Sequence, residues 1–324
     1  MSYAGIGAGD TSWVLISAAL VLLMTPGVAF FYGGMVRQKN VLSIMMQSFS
    51  SIMVVGVLWA LVEYSLAFAP GDPIIGGLQW FGLRGVWFSP FPAYAPDIPQ
   101  LAQMVFQAMF AAITPALIIG AFAERVRYGP LLLFIALWSL LVYAPVAHWV
   151  WGVDGWLHAM GMLDFAGGAV VHLTAGMAAL ASALVLRPRH RFNGSVIEPE
   201  NVPLVVLGAA MLWFGWFGFN AGSALAANGL AALAFVNTFL AAAVAGLTWT
   251  IVTWIVRGKS SVLGAMTGLV AGLAAITPAA GFVDPMSSMA IGVGAGLVTY
   301  GAALLRARVG LDDSLDVWAI HGMG

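Results

Sequence analysis

The chain has no cysteine among its 324 residues, which removes disulfides, thiol catalysis and thiolate metal sites together. Charge is almost as scarce. Asp, Glu, Lys and Arg make up 8% of the residues and sum to a net charge of −1, where soluble proteins carry roughly 25% charged residues. So few charges cannot cover a surface that faces water, and a balance near zero leaves no footprint for nucleic acid. The first ten residues contain no Lys or Arg, so no secretory signal is expected there.

Apolar residues are abundant instead, at 61% of the chain, and the mean hydropathy is +0.96. Lipid is therefore the expected solvent. A backbone in lipid must satisfy its own hydrogen bonds, so only helices or closed barrels can span it. The apolar runs are long and unbroken rather than short and alternating, which selects helices. They fall at 13–36, 41–69, 101–123, 130–149, 168–186, 203–223, 231–256, 262–281 and 288–305. A tenth begins near Ser314 and is cut by the chain end at Gly324. The fold class is all-α, an integral membrane protein of about ten spans.

The cations test this count. Arg37 and Lys39 follow the first run, Arg125 and Arg127 the third, and Arg187, Arg189 and Arg191 the fifth. Arg257 and Lys259 follow the seventh, and Arg306 and Arg308 the ninth. Eleven of the 12 Lys and Arg residues thus lie on one side, with Arg84 alone on the other. Cations favour the cytoplasmic side, so the N-terminus is placed outside. The loop at 70–100, rich in Pro, Gly and aromatics, reads either as an ordered outer cap, with Trp80, Trp87 and Phe91 suited to interfacial depth, or as a plain connector.

The hexapeptide AAITPA occurs at Ala111–Ala116 and again at Ala274–Ala279. A Leu-Asp pair precedes a histidine twice, at Leu163-Asp164 before His172 and at Leu315-Asp316 before His321. Two copies of five spans must cross the membrane in opposite senses, which is the inverted-repeat architecture of many transporters. The single membrane domain 1–324 divides into repeats at about 13–187 and 203–324.

His172 and His321 stand in otherwise apolar runs, where ionisable groups are costly and usually face a pathway. A neutral imidazole donates through one ring nitrogen and accepts through the other without net charge. The alternative for each is a buried structural histidine; two at equivalent repeat positions favour the pathway. A metal site is poorly supported by two histidines without a carboxylate or thiolate. Phe106, Phe110, Trp151 and Phe219 form an aromatic set near the outer side. Such faces attract weakly hydrated cations, although membrane aromatics are ordinarily packing residues. Ser223 adds a hydroxyl acceptor. Asp164, ahead of Gly167-Gly168, either caps the fifth helix or meets a cation directly.

These residues sit in longer motifs: PGVAFFYGGMVRQKNVLS (26–43), FQAMFAAIT (106–114), AERVR (123–127) and APVAHWVWG (144–152). LDFAGGAVVH (163–172), GWFGFNAGSALAAN (215–228), AFVNT (234–238), AAITPAAGFVD (274–284) and LDVWAIHGMG (315–324) follow. Together they resemble the ammonium transporter (Amt/Rhesus) family over essentially the whole chain. That resemblance implies an eleven-helix homotrimer in the plasma membrane with one pore per subunit, and no cofactor. It implies that Phe110, Trp151 and Ser223, supported by Asp164, form an external ammonium recruitment site. Phe110 and Phe219 become a phenyl gate, His172 and His321 the twin histidines of an apolar pore, and Thr277 a residue near its wall.

The expected function is transport of ammonium or ammonia, with methylammonium as a further substrate; ammonium is recruited outside and deprotonated before passage. The alternative is the ammonium-sensing domain of a signalling protein. An enzyme is not expected, since no catalytic carboxylate or metal set lies in the spans. Relatives continue with the rest of the tenth helix, an eleventh, and a tail that helps dock PII-type regulators. The chain therefore reads as a truncated member. Glu63 stands where the family generally has glycine, and reads as a solvated or hydrogen-bonded carboxylate at the outer end of the second span.

Overall fold

The computed structural model describes residues 5–189 and 199–324. Arg191 lies outside the described residues. Ten helical elements follow in order: α1 (Ala8–Met35), α2 (Gln38–Phe68), α3 (Gln100–Phe122), α4 (Tyr128–Ala159), α5 (Gly168–Val185), α6 (Val202–Gly222), α7 (Gly229–Arg257), α8 (Val262–Ile276), α9 (Pro285–Arg308) and α10, a single turn at Trp318–Gly322. Eight of these, all but α8 and α10, are long and apolar enough to cross a membrane. The protein is a multi-pass membrane protein.

The run at 262–281 does not form one full-length helix. α8 has 15 residues and so a length of about 22 Å, short of the roughly 30 Å hydrocarbon core. The chain then turns at 277–282, where Pro278 supplies no backbone N–H. Its carbonyl instead accepts from the Phe165 N–H at 3.0 Å. Non-helical backbone is tolerated at membrane depth where protein covers it. In the other copy of the hexapeptide, Pro115 lies inside α3, which continues past it. The tenth helix also starts later than Ser314, because Ser314 and Leu315 form a turn and Asp316 takes a left-handed φ of 58°.

Helices approach closely where glycine removes the side chain. The α1–α6 contact is the most extensive in the fold. Gly34 on α1, and Gly208, Gly215 and Gly218 on α6, leave no room for a Cβ against the opposite helix, and Gly27 on α1 leaves little. Without a hydrophobic force between helices in lipid, such small residues allow the dispersion contacts that hold them. Gly176 on α5 likewise abuts the backbone of Gly322 on α10.

The charged ends gather on one face. Arg37, after α1, pairs with Glu124, after α3, at 2.6 Å. Asp312, before α10, pairs with Arg189 at 2.6 Å and Arg125 at 3.7 Å. Because Arg189 follows α5 while Asp312 precedes α10, these two helices run in opposite senses. Arg306 on α9, 1% exposed, pairs with Asp316 at 2.7 Å. Removing one partner of a buried pair typically costs about 3–5 kcal/mol, so this contact pins the start of α10.

On the other face, the cap at 70–99 is ordered by two isolated β-bridges, Gly71–Gly76 and Phe91–Ala95. Trp80 stacks on Tyr64 at 5.4 Å and meets Phe91 edge-on, while Trp87 is exposed. Two π-turns interrupt long helices, Trp59–Glu63 in α2 and Ser139–Tyr143 in α4. Glu63 is hydrogen-bonded, as one of its sequence readings held, but not solvated. It is 0% exposed, and the Ser139 hydroxyl donates to its Oε1 at 2.7 Å.

Candidate functional site

The site begins where α3, α4 and α6 converge beneath the face that carries the 70–99 cap. Phe110 of α3 packs against Phe219 of α6 with ring centroids 4.2 Å apart and planes 34° apart. Trp151 of α4 meets Phe110 edge-on at 6.1 Å. Phe110 and Phe219 are fully buried, whereas Trp151 is partly exposed. Two closed rings thus lie below one open indole. Phe106, one turn before Phe110, packs on it edge-on at 4.9 Å and is wholly buried. It supports the ring rather than meeting Trp151.

Ser223 donates its hydroxyl proton to the Phe219 carbonyl at 2.9 Å. That commits its only hydrogen and leaves the oxygen as an acceptor. The Trp151 Nε1–H donates to the Asp164 carbonyl at 2.9 Å, which fixes the indole. The Asp164 carboxylate itself is fully engaged. Oδ1 accepts from the Gly167 and Gly168 N–H groups at 2.9 and 2.6 Å, and Oδ2 from Ala169 and Val170 at 2.9 and 3.1 Å. Of its two sequence readings, the cap is the one with visible partners. Gly167 makes this wrap with a φ of 105°, which a residue with a Cβ rarely adopts.

Below the rings the two histidines meet. His172 and His321 lie on π-turns, Gly168–Leu173 and Trp318–Gly322, which open α5 and form α10. A π-turn widens the backbone by one residue and re-aims its side chains. The imidazoles stack nearly parallel, 13° apart, with centroids at 5.1 Å. Their Nδ1 atoms are 3.1 Å apart. One must donate and the other accept, so the pair holds opposite tautomers when neutral. The Nε2 of His172 has no protein partner among the described residues.

Trp216 was not singled out from the sequence, yet it is the closest aromatic support of this pair. It stacks on His172 at 5.2 Å and 19°. Its Nε1–H donates to the Thr277 hydroxyl at 2.9 Å, and that hydroxyl donates to the Leu273 carbonyl at 2.8 Å. Thr277 therefore stands one layer behind the wall, as the anchor of Trp216. The available sequence signal was spacing, since Trp216 precedes Phe219 by three residues and shares its helix face.

A slim cavity joins these groups. It runs from Phe219 past Trp216, His172 and His321 to Leu315 and Asp316, with Met24, Phe31 and Leu117 along its side. It holds about 60 Å³ of water-accessible space, room for about four water-sized molecules. Its wall is mostly apolar, with the imidazoles as its central polar groups. Such a space suits a small neutral molecule able to exchange hydrogen bonds, and disfavours a bare cation.

A family model described as Ammonium Transporter Family matches residues 12–324. The ammonium transporter of Bacillus subtilis (strain 168) is 53% identical over 317 residues, covering 98% of this chain and 78% of that relative. Ammonium transporter Amt1 of Archaeoglobus fulgidus is 50% identical with the same coverage. Among solved structures, Candida albicans Mep2 matches with a TM-score of 0.94 at 39% identity, covering 100% of this chain and 72% of that one. A sensor Amt protein matches with a TM-score of 0.89 at 31% identity, covering 97% and 79%.

Proposed function

We propose, from the premise that this chain belongs to the ammonium transporter family, that it moves ammonium across the membrane by taking up the cation outside and passing neutral ammonia along the histidine-lined cavity. Ammonium transport is the function the family membership supports. The route is our reading, carried by one observation: the two imidazoles line one mostly apolar cavity whose wall also includes Phe219, the ring packed on Phe110.

At the mouth, the open face of Trp151 attracts the cation, and Ser223 accepts one of its N–H groups. Asp164 acts indirectly. Its carboxylate closes the backbone turn that starts α5, and its carbonyl holds the indole. The buried rings of Phe110 and Phe219 then make entry as a cation expensive. Loss of a proton on the outer side leaves ammonia, which passes the rings when they part, while the proton crosses separately by relay through the two imidazoles, so each turnover moves one charge. Inside, each free imidazole nitrogen replaces a hydrogen bond that water would have made. The protein works as a homotrimer in the plasma membrane with its N-terminus outside.

Transport is preferred over sensing because both the identity and the TM-score are higher for Mep2 than for the sensor Amt protein. The test is the current evoked by ammonium pulses on liposomes adsorbed to a solid-supported membrane. The wild type should give a saturable current, and the His172→Ala/His321→Ala double variant should lose or alter it. An unchanged current in the double variant sinks the histidine route.

A further inference from the structure

We propose that Glu63 is a proton-binding site within the membrane: its carboxyl group holds a proton in the resting protein and exchanges it with the outer mouth through the hydroxyl of Tyr143.

Glu63 lies five residues before the outer end of α2, about 8 Å below it by helical rise. Two π-turns supply its surroundings, Trp59–Glu63 on α2 and Ser139–Tyr143 on α4. Such turns occur often at functional positions. The Ser139 hydroxyl donates to Oε1, while Oε2 is buried without a hydrogen-bond partner among the described residues. The Tyr143 hydroxyl, on the same turn as Ser139, is also buried and unpartnered.

Among the described residues no counter-charge answers this carboxylate. None of the four ion pairs among the described residues includes Glu63. From α4 it is faced by Ser139 and Tyr143, whose ring lies against Trp59. Its own helix adds Tyr64, with Tyr94 of the cap in electrostatic range of that phenol. α3 adds two uncharged amides, Gln103, which accepts from the Tyr64 hydroxyl, and Gln100, which donates to it, and the Met104 carbonyl, which accepts from Trp59. An ionised carboxylate in apolar surroundings without a cation is strongly disfavoured, so a cation must come from outside the chain.

A proton is the cation that fits. Glu63 is fully buried and lies outside the wall of the pore cavity. A metal ion would need six or so oxygens, and this place offers those of Glu63, Ser139 and Tyr143. A proton needs no room. Its route is set by Tyr143, which lies in electrostatic range of both Glu63 and Asp164, the residue that builds the mouth. Neither oxygen bonds the other directly, so the step runs through one bridging water: an outer acid passes a proton to the Tyr143 oxygen, the phenol proton moves to that water, and a proton of the water moves to Glu63 Oε2. Tyr143 ends neutral, and –COO⁻ becomes –COOH. This site is separate from the histidine pair and stands whichever form of ammonium crosses the pore.

Infrared difference spectroscopy on the protein in liposomes tests it. The wild type should show the carbonyl stretch of a carboxylic acid at neutral pH, and E63Q should lose that band. Y143F should keep the band but slow its shift in deuterated buffer by roughly a hundredfold or more, as expected on removing a proton-relay group. Should E63Q fail to assemble, E63D must displace the band instead. A band indifferent to both Glu63 variants, or only carboxylate signals at neutral pH, overturns the site. Exchange at the wild-type rate in Y143F overturns the route.

Discussion

His172 and His321, 149 residues apart in the chain, face each other through their Nδ1 atoms at 3.1 Å with rings 13° from parallel. A hydrogen bond between two like nitrogens has a direction. The donor presents a bare Nε2 and the acceptor presents Nε2–H, so the wall of the cavity is polarised along its length. Protonation of both Nδ1 atoms would set two N–H groups head to head, which the neutral pair avoids.

Coupling follows from that contact. Truncating either ring leaves its partner without the Nδ1 bond, so the losses should not add. In ammonium-evoked currents, the H172A and H321A single variants should each approach the double variant to within about twofold, the non-additivity expected of groups in direct contact. Independent, multiplying losses would show that the rings act separately.

Thr277 should matter through Trp216. T277V keeps the shape but leaves the Trp216 Nε1–H buried and unpaired, a cost of about 1–3 kcal/mol. The expected results are a lower thermal unfolding midpoint in detergent and a weaker current. T277S, which retains the hydroxyl, should restore most of both. A T277V protein as stable and active as the wild type would refute the anchoring role.

The mouth should set affinity rather than capacity. W151A removes the exposed cation-attracting face, and S223A removes an acceptor. Both should raise the ammonium concentration for half-maximal current, W151A by about tenfold and S223A by a few-fold, in line with cation–π and hydrogen-bond magnitudes. Maximal currents should fall less. A reversed pattern would place the barrier elsewhere.

Acid should loosen the charged face first. Burial works to raise the Glu124 and Asp312 carboxyls, but hydrogen bonds and charge from Arg37 and Asn40 on one, and Arg189 and Arg125 on the other, hold both below their ordinary values. A carboxylate with a depressed folded value contributes stability above its unfolded value and loses it as pH falls through the folded one. The unfolding midpoint should therefore drop as pH falls below the ordinary values of 4.5 and 3.8. D312N should be less stable at neutral pH and flatter across that range.

Much of the plan was readable in advance. Hydropathy and length marked the crossing segments, because both signals are local. Ends were less legible. α1 begins at Ala8 rather than 13 because polar residues there find distant partners, as Asp10 does in accepting from the Ala227 N–H at 2.7 Å. The break at Ile276 depended on a proline that the other repeat copy carries inside a continuous helix.

By itself the sequence determined that the chain lives in lipid, that it crosses many times as helices, and that two imidazoles stand in otherwise apolar runs. Those follow from residue type and spacing, which act within a few turns of helix. The tertiary structure alone decided that the imidazoles stack, that Thr277 holds Trp216 from behind, that Asp164 spends its carboxylate on four backbone N–H groups, and that Glu63 is sealed beside Ser139. Each is a meeting of atoms remote in the chain, fixed by how closely the helices pack rather than by any neighbouring residue.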